Sequence, residues 1–249
     1  MIERYTLPKM SAIWQEENKF NKMLEVEIAA CEAFANMGLM PKSALTVIKK
    51  NAKIDVERIK EIEKKTNHDV VAFIVNLSEY IGDDAKYIHM GMTSSDVLDT
   101  ALSIMMKEAA DIIISDIKIL LKALRSKANR FKKTVMMGRS HGIHAEPTTF
   151  GLKMALFYDE MQRNLKRMEE AKEIISVGKI SGAVGTYANV SPAVEKYVCK
   201  KAWLKGGEYI YTGPSEGQAR SVHDDNSHYR RFFREIFYRD PSSSEDRGR

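Results

Sequence analysis

The stretch from Leu98 to Leu124, LDTALSIMMKEAADIIISDIKILLKAL, decides how the rest of the chain is read. Apolar residues recur at Ala101, Leu102, Met105, Ala109, Ile112, Ile113, Ile117, Leu120, Leu121 and Leu124. That spacing of threes and fours holds for about seven turns and predicts one long helix. A second run, Met154, Phe157, Tyr158, Met161, Leu165, Met168, Ala171 and Ile175, repeats the pattern. Helices over 98–131 and 147–177 are expected to pack against each other in a bundle, since neither can bury its stripe alone.

Outward from this pair, Ile13, Phe20, Met23, Leu24, Ile28 and Ala29 predict a helix from Pro8 to Asn36, stopped by Gly38 and Pro41. Shorter helices are expected over Asp55–Lys65 and Asp69–Tyr80, with a break at Gly82-Asp83-Asp84. No alternation of strand and helix and no glycine-rich phosphate loop occurs. The expectation is an all-α protein. A small helical N-terminal domain over 1–96 leads into the first long helices of a central bundle over 97–201, followed by a tail over 202–249.

The chain has 249 residues, 44% hydrophobic and 29% charged, which is the composition of an ordinary globular protein. No run of about 20 apolar residues could span a bilayer, and the start, Met1-Ile2-Glu3-Arg4-Tyr5, has no secretory pattern. Two distant cysteines, Cys31 and Cys199, make neither a disulfide framework nor a zinc site, so a cytoplasmic, reducing location is expected. The net charge of +5 raises nucleic-acid binding. Its lysines are interleaved with glutamates, as in Glu61-Ile62-Glu63-Lys64-Lys65, which marks solvated helix faces rather than a clustered basic footprint. A small anionic ligand fits the same charge balance.

Four polar or glycine-bearing stretches separate the helices. In Gly138-Arg139-Ser140-His141-Gly142, His141 can exchange a proton near neutral pH, and the flanking glycines let a ligand come close. The plainer alternative is a surface or capping histidine, which four polar stretches between long helices make weaker. Thr148 and Thr149 are expected to bind a ligand or to cap a helix opening at Pro147. Thr93-Ser94-Ser95-Asp96 reads either as an N-cap or as an anion site at a helix N-terminus. Asn67-His68-Asp69 carries the same two readings, with Asp69 as the expected cap and His68 as the surplus group. His141 and His144 are three apart, but no ligand set completes a metal site around them. The fourth stretch is Gly178-Lys179-Ile180-Ser181-Gly182-Ala183-Val184-Gly185.

These stretches, with Met1-Ile2-Glu3-Arg4-Tyr5, His68-Asp69-Val70-Val71-Ala72-Phe73 and His89-Met90-Gly91-Met92-Thr93-Ser94-Ser95-Asp96, resemble the adenylosuccinate lyase family of the fumarase and aspartase superfamily. The motifs match in order and spacing, from Met1 to about Lys201. The resemblance implies a β-elimination that releases fumarate from succinyl-AMP, and from the matching imidazole carboxamide ribotide of purine nucleotide biosynthesis. By the family pattern His141 is the general acid and His68 assists at the substrate. Arg4 and Tyr5 hold the phosphate, Thr93 and Ser94 a succinyl carboxylate, and Asn67 and Asp69 join the substrate site. The family works as a homotetramer with composite sites and without a cofactor. The competing readings are a sister lyase, such as an argininosuccinate lyase, and a non-catalytic helical scaffold.

After Lys201 the character changes. Residues 1–201 hold 24 lysines and 7 arginines, whereas residues 202–249 hold 1 lysine and 7 arginines. Pro214 to Arg220 can be back-translated, with codons chosen to fit, so that reading one base later gives Leu-Gln-Arg-Asp-Arg-His, a stretch the resemblance places there. A shifted reading frame and a poorly ordered tail are therefore expected. The family's glycine-and-serine loop, which carries its catalytic serine, does not occur in the chain. Weak or no activity from this chain alone follows.

Overall fold

The computed structural model describes residues 3–206. The shifted frame and the tail's order lie outside the described residues. Eight α-helices and one β-hairpin are present among them: α1 Pro8–Ile13, α2 Glu16–Asn36, α3 Lys42–Asn51, α4 Val56–Thr66, α5 Asp69–Ile81, α6 Ser94–Arg130, β1 Val135–Ser140, β2 Ile143–Thr149, α7 Phe150–Ile175 and α8 Pro192–Lys201. The all-α expectation holds, with the hairpin as a small addition.

Where sequence and structure differ, local chemistry gives the reason. The helix expected from Pro8 to Asn36 breaks at Trp14 and Gln15. Asn18 donates to the Ile13 carbonyl at 2.8 Å, filling an acceptor that the end of α1 leaves open. Glu16 and Glu17 then favour the positive end of α2. Pro41, read as a stop, is also a start: α3 begins at Lys42, where a fixed φ just ahead of the helix suits its first turn. The helix expected to open at Pro147 opens at Phe150, with Thr149 Oγ1 accepting from Leu152 N at 3.1 Å. Pro147 lies instead in β2, opposite Met137. His141 (φ 51°) and Gly142 (φ 75°) form the two-residue turn of the hairpin. Two successive left-handed residues match the twist of paired strands. A period-3.6 reading has no means of registering this.

α6 and α7 run antiparallel. Ile114 meets Met168 in a shared cluster, Lys118 pairs with Glu169 and Lys172 with Asp111, and Phe131 packs edge-on against Phe150 at 5.4 Å. Apolar side chains nevertheless remain uncovered along this pair, among them Ile119, Leu120, Leu152 and Leu156. The main core lies around α2, where Phe20 stacks on Phe73 of α5 at 6.0 Å. Val97, Ala101 and Ile104 from the first turns of α6 join it, as do Ile180, Val190, Val194 and Val198 from the segment after α7. Residues 178–204 thus return to the core built by the first helices. Cys31 and Cys199 lie buried in that core, and burial pushes both thiols up to about 12, so neither is a reactive thiol.

Glu32 locks three helices together: it pairs with Lys49 of α3 and Lys201 of α8 and accepts from the Tyr197 hydroxyl at 3.1 Å. Burial pushes its carboxyl up, but the two ammonium groups outweigh that and hold it below the ordinary 4.5. A depressed folded value contributes stability that is full above 4.5 and is lost as pH falls through the folded value. Glu32→Gln is therefore expected to flatten the acid limb of stability against pH below 4.5. At pH 7 it costs at most about 1 kcal/mol, because both lysines are half exposed and screened. Urea midpoints for both chains at pH 7 and about pH 3.5 check this; parallel curves would contradict it.

Candidate functional site

Two loops meet at the N-terminus of α6, and buried charges tie them there. Asp96, in the first turn, is fully buried. Its Oδ2 reaches back to accept from Thr93 N at 3.0 Å, half of a capping box, and also accepts from Gly182 N at 3.0 Å. Oδ1 takes the Lys179 ammonium at 2.7 Å and Ser181 N at 3.2 Å. Lys179 further donates to the Gly182 carbonyl at 2.7 Å, and Thr100 Oγ1 accepts from Lys179 N at 3.1 Å. From α8, Glu195 accepts from Ile180 N and from the Tyr187 hydroxyl, both at 2.9 Å. The glycine-rich stretch 178–187 is thereby moulded around the start of α6, and its Ser181 hydroxyl is buried with no partner among the described residues.

The loop ahead of α6 is clamped as firmly. His89 adopts φ 61°, a conformation that costs a side-chain-bearing residue energy. Glu27 of α2, fully buried, contacts its ring Nδ1 at 2.7 Å and accepts from its backbone N–H at 2.9 Å. Gly91 (φ 73°) passes so close to the Asn189 carbonyl that a Cβ there would lie 2.1 Å from its oxygen.

Thr93 and Ser94 therefore sit at a rigid helix head, as N-cap and first helical residue. The N-cap reading of this stretch holds, and part of the donor set at the helix head is already taken by Asp96. At α5 the expected roles are reversed: His68 is the N-cap, its Nδ1 accepting from Val71 N at 3.4 Å, while Asp69 is the first helical residue and accepts from Val70 N at 2.8 Å. Asn67, at φ 51°, is the left-handed end of α4. Arg4 and Tyr5 lie exposed in the short turn Glu3–Tyr5, with the guanidinium over the Tyr5 ring at 4.8 Å.

His141 stands apart from all of these. It is exposed at the tip of the hairpin that follows α6, whereas Thr93 and Ser94 begin α6. At a rise of about 1.5 Å per residue, that helix is about 55 Å long. One chain cannot bring His141 to Thr93 and Ser94. A cavity of about 430 Å³ between α6 and α7 and another of about 260 Å³ between α2, α6 and α8 touch none of the sequence-predicted site residues. Among the described residues no group of three or more histidine, cysteine or carboxylate side chains could hold a metal, and no helix is long and apolar enough to cross a membrane.

Glu27 does not stand out in the sequence, and His89, Asp96 and Lys179 stand there only inside longer motif stretches. Asp96 was legible as the third residue of a capping box. The burial of Glu27 was not, because Glu25-Val26-Glu27 looks like a solvated helix face.

The family whose description is Lyase matches residues 3–222. The chain belongs to this lyase family. Adenylosuccinate lyase of Bacillus subtilis (strain 168) is 58% identical over 205 residues, covering 82% of this chain and 48% of that protein. The chain thus spans about half the length of the curated relative it matches. Among solved structures, a fumarate lyase from Mesorhizobium sp. BNC1 superposes with a TM-score of 0.79 at 26% identity, covering 89% of this chain and 52% of its own. The 3-carboxy-cis,cis-muconate lactonizing enzyme of Pseudomonas putida gives 0.76 at 26%, covering 82% and 49%. This helical fold thus occurs in proteins named for different reactions, and the identity to the adenylosuccinate lyase is higher than to either solved structure.

Proposed function

We propose that this chain carries the N-terminal part of an adenylosuccinate lyase, a carbon–nitrogen lyase of purine nucleotide biosynthesis that releases fumarate from succinyl-AMP and from the matching imidazole carboxamide ribotide. The 58% identity over the motif-bearing residues carries this reading. In it His141 protonates the leaving nitrogen and His68 assists at the substrate. Thr93 and Ser94 receive a succinyl carboxylate at the positive end of α6. Arg4 and Tyr5 hold the phosphate, with Asn67 and Asp69 beside them. The separation of His141 from the head of α6 favours a site shared between copies, as in a homotetramer, and the uncovered apolar residues of α6 and α7 favour packing against further helices. A cytoplasmic location follows from the same reading.

The test is fumarate release from succinyl-AMP, followed by ultraviolet absorbance. The purified chain is expected to turn over at most about a thousandth as fast as a full-length relative. His141→Ala is expected to remove about a hundredfold or more of whatever remains. Turnover indifferent to His141→Ala would overturn the role given to His141, and near-family turnover would overturn the expectation that this chain alone is deficient.

A further inference from the structure

The Glu27–His89 pair carries an inference beyond the reaction itself. A histidine on an ordinary surface loop needs no support. Here the backbone is held at φ 61°, the loop is wedged against Asn189 at Gly91, and a fully buried carboxylate from another helix is dedicated to the one residue. Strained backbone held by its surroundings concentrates at functional sites. The hydrogen bonds also fix the chemistry of the ring. Glu27 Oε2 is taken by the His89 N–H, which can only donate, so Oε1 faces Nδ1 at 2.7 Å. An ionised carboxylate only accepts, so the proton must sit on Nδ1. No hydrogen bond reaches Nε2 among the described residues, and the ring lies four residues ahead of Thr93 in the same clamped loop.

We propose that Glu27 is a positioning residue: it holds the His89 imidazole with its proton on Nδ1 and leaves Nε2 as the nitrogen that meets a bound nucleotide at the head of α6. The nucleotide part of this inference rests on the proposed function; the tautomer part does not. Glu27→Gln gives a sharp contrast. The glutamine oxygen must take the His89 N–H, which turns its NH₂ donor toward Nδ1. Nδ1 must then give up its proton, and the ring becomes the Nε2–H tautomer.

The experiment is long-range ¹H–¹⁵N NMR of the whole chain labelled at histidine, with the His89 signals assigned by their loss in His89→Gln. Wild type is expected to show protonated Nδ1, Glu27→Gln to switch to Nε2–H with its amide spectrum otherwise kept, and Glu27→Asp to restore the wild-type pattern. Adding AMP is expected to move the wild-type Nε2 signal, and to require at least about tenfold more ligand in Glu27→Gln, the loss of about one hydrogen bond that Nε2 accepts from a hydroxyl or amino group of the nucleotide. Nε2–H in the neutral wild-type ring, no switch in Glu27→Gln, or equal AMP response in both chains would overturn the proposal. A tautomer switch with no AMP response in either chain would leave Glu27's hold on His89 standing and remove the nucleotide reading. Should Glu27→Gln fail to fold, the wild-type tautomer decides.

Discussion

Asp96→Ala is expected to cost the chain about 3–5 kcal/mol, the range for removing one partner of a buried, hydrogen-bonded charge. The fully buried carboxylate satisfies three backbone N–H groups, of Thr93, Ser181 and Gly182, together with the Lys179 ammonium. Alanine leaves these donors facing a void, and each stranded buried donor costs about 1–3 kcal/mol. Lys179 can swing partly to solvent, which keeps the total below the simple sum. A domain's whole stability is about 5–15 kcal/mol, so the chain loses a large fraction of it. Asp96→Asn is expected to fall between wild type and alanine, since the amide keeps the shape but turns one acceptor into a donor. Urea unfolding followed by far-ultraviolet circular dichroism measures both. A loss below about 1 kcal/mol for the alanine variant would mean that loop 178–187 does not depend on Asp96.

Gly91→Ala is the second large effect, expected at about 3 kcal/mol. Two penalties add there. A residue with a Cβ is strained at φ 73°, by about 1 kcal/mol, and the new methyl would lie 2.1 Å from a backbone oxygen, which forces the two loops apart. Gly142→Ala separates these terms. Gly142 has a similar φ of 75°, with nothing within 4 Å of the Cβ position. It should cost only about 1 kcal/mol, the conformational part alone. Similar losses in the two variants would show that the Gly91 loop yields to the methyl. A threefold larger loss at Gly91 would establish the close approach of the loops in solution.

Both predictions concern residues whose importance reads poorly in the primary structure. The long helices were legible because a 3.6-residue period over seven or so turns has no competing explanation. α6 runs Ser94–Arg130 and α7 Phe150–Ile175, against expectations of 98–131 and 147–177. Thr93 at the head of α6 was legible as a possible cap for an equally local reason, since hydroxyls accept from first-turn amides. The motif stretches were legible because long ordered strings of residues carry family information that periodicity lacks, and the match over residues 3–222 bears that out.

Other features depended on partners distant in sequence. The hairpin was missed because Gly138 to Thr149 offers turn residues without a clean alternation, and strand pairing is a contact between segments. The exchange of roles between His68 and Asp69 turned on one backbone angle at the cap. The burial of Glu27 and Asp96 could not be read at all. A carboxylate on a helix is by default solvated, and only the arrival of His89 from 62 residues away, or of Lys179 from 83, makes a dry position tolerable. The sequence alone determined the family, the two long helices and the candidate histidines. Tertiary structure decided which charges are buried and how far His141 lies from the head of α6, because burial and distance belong to the packed chain and to no single stretch of it.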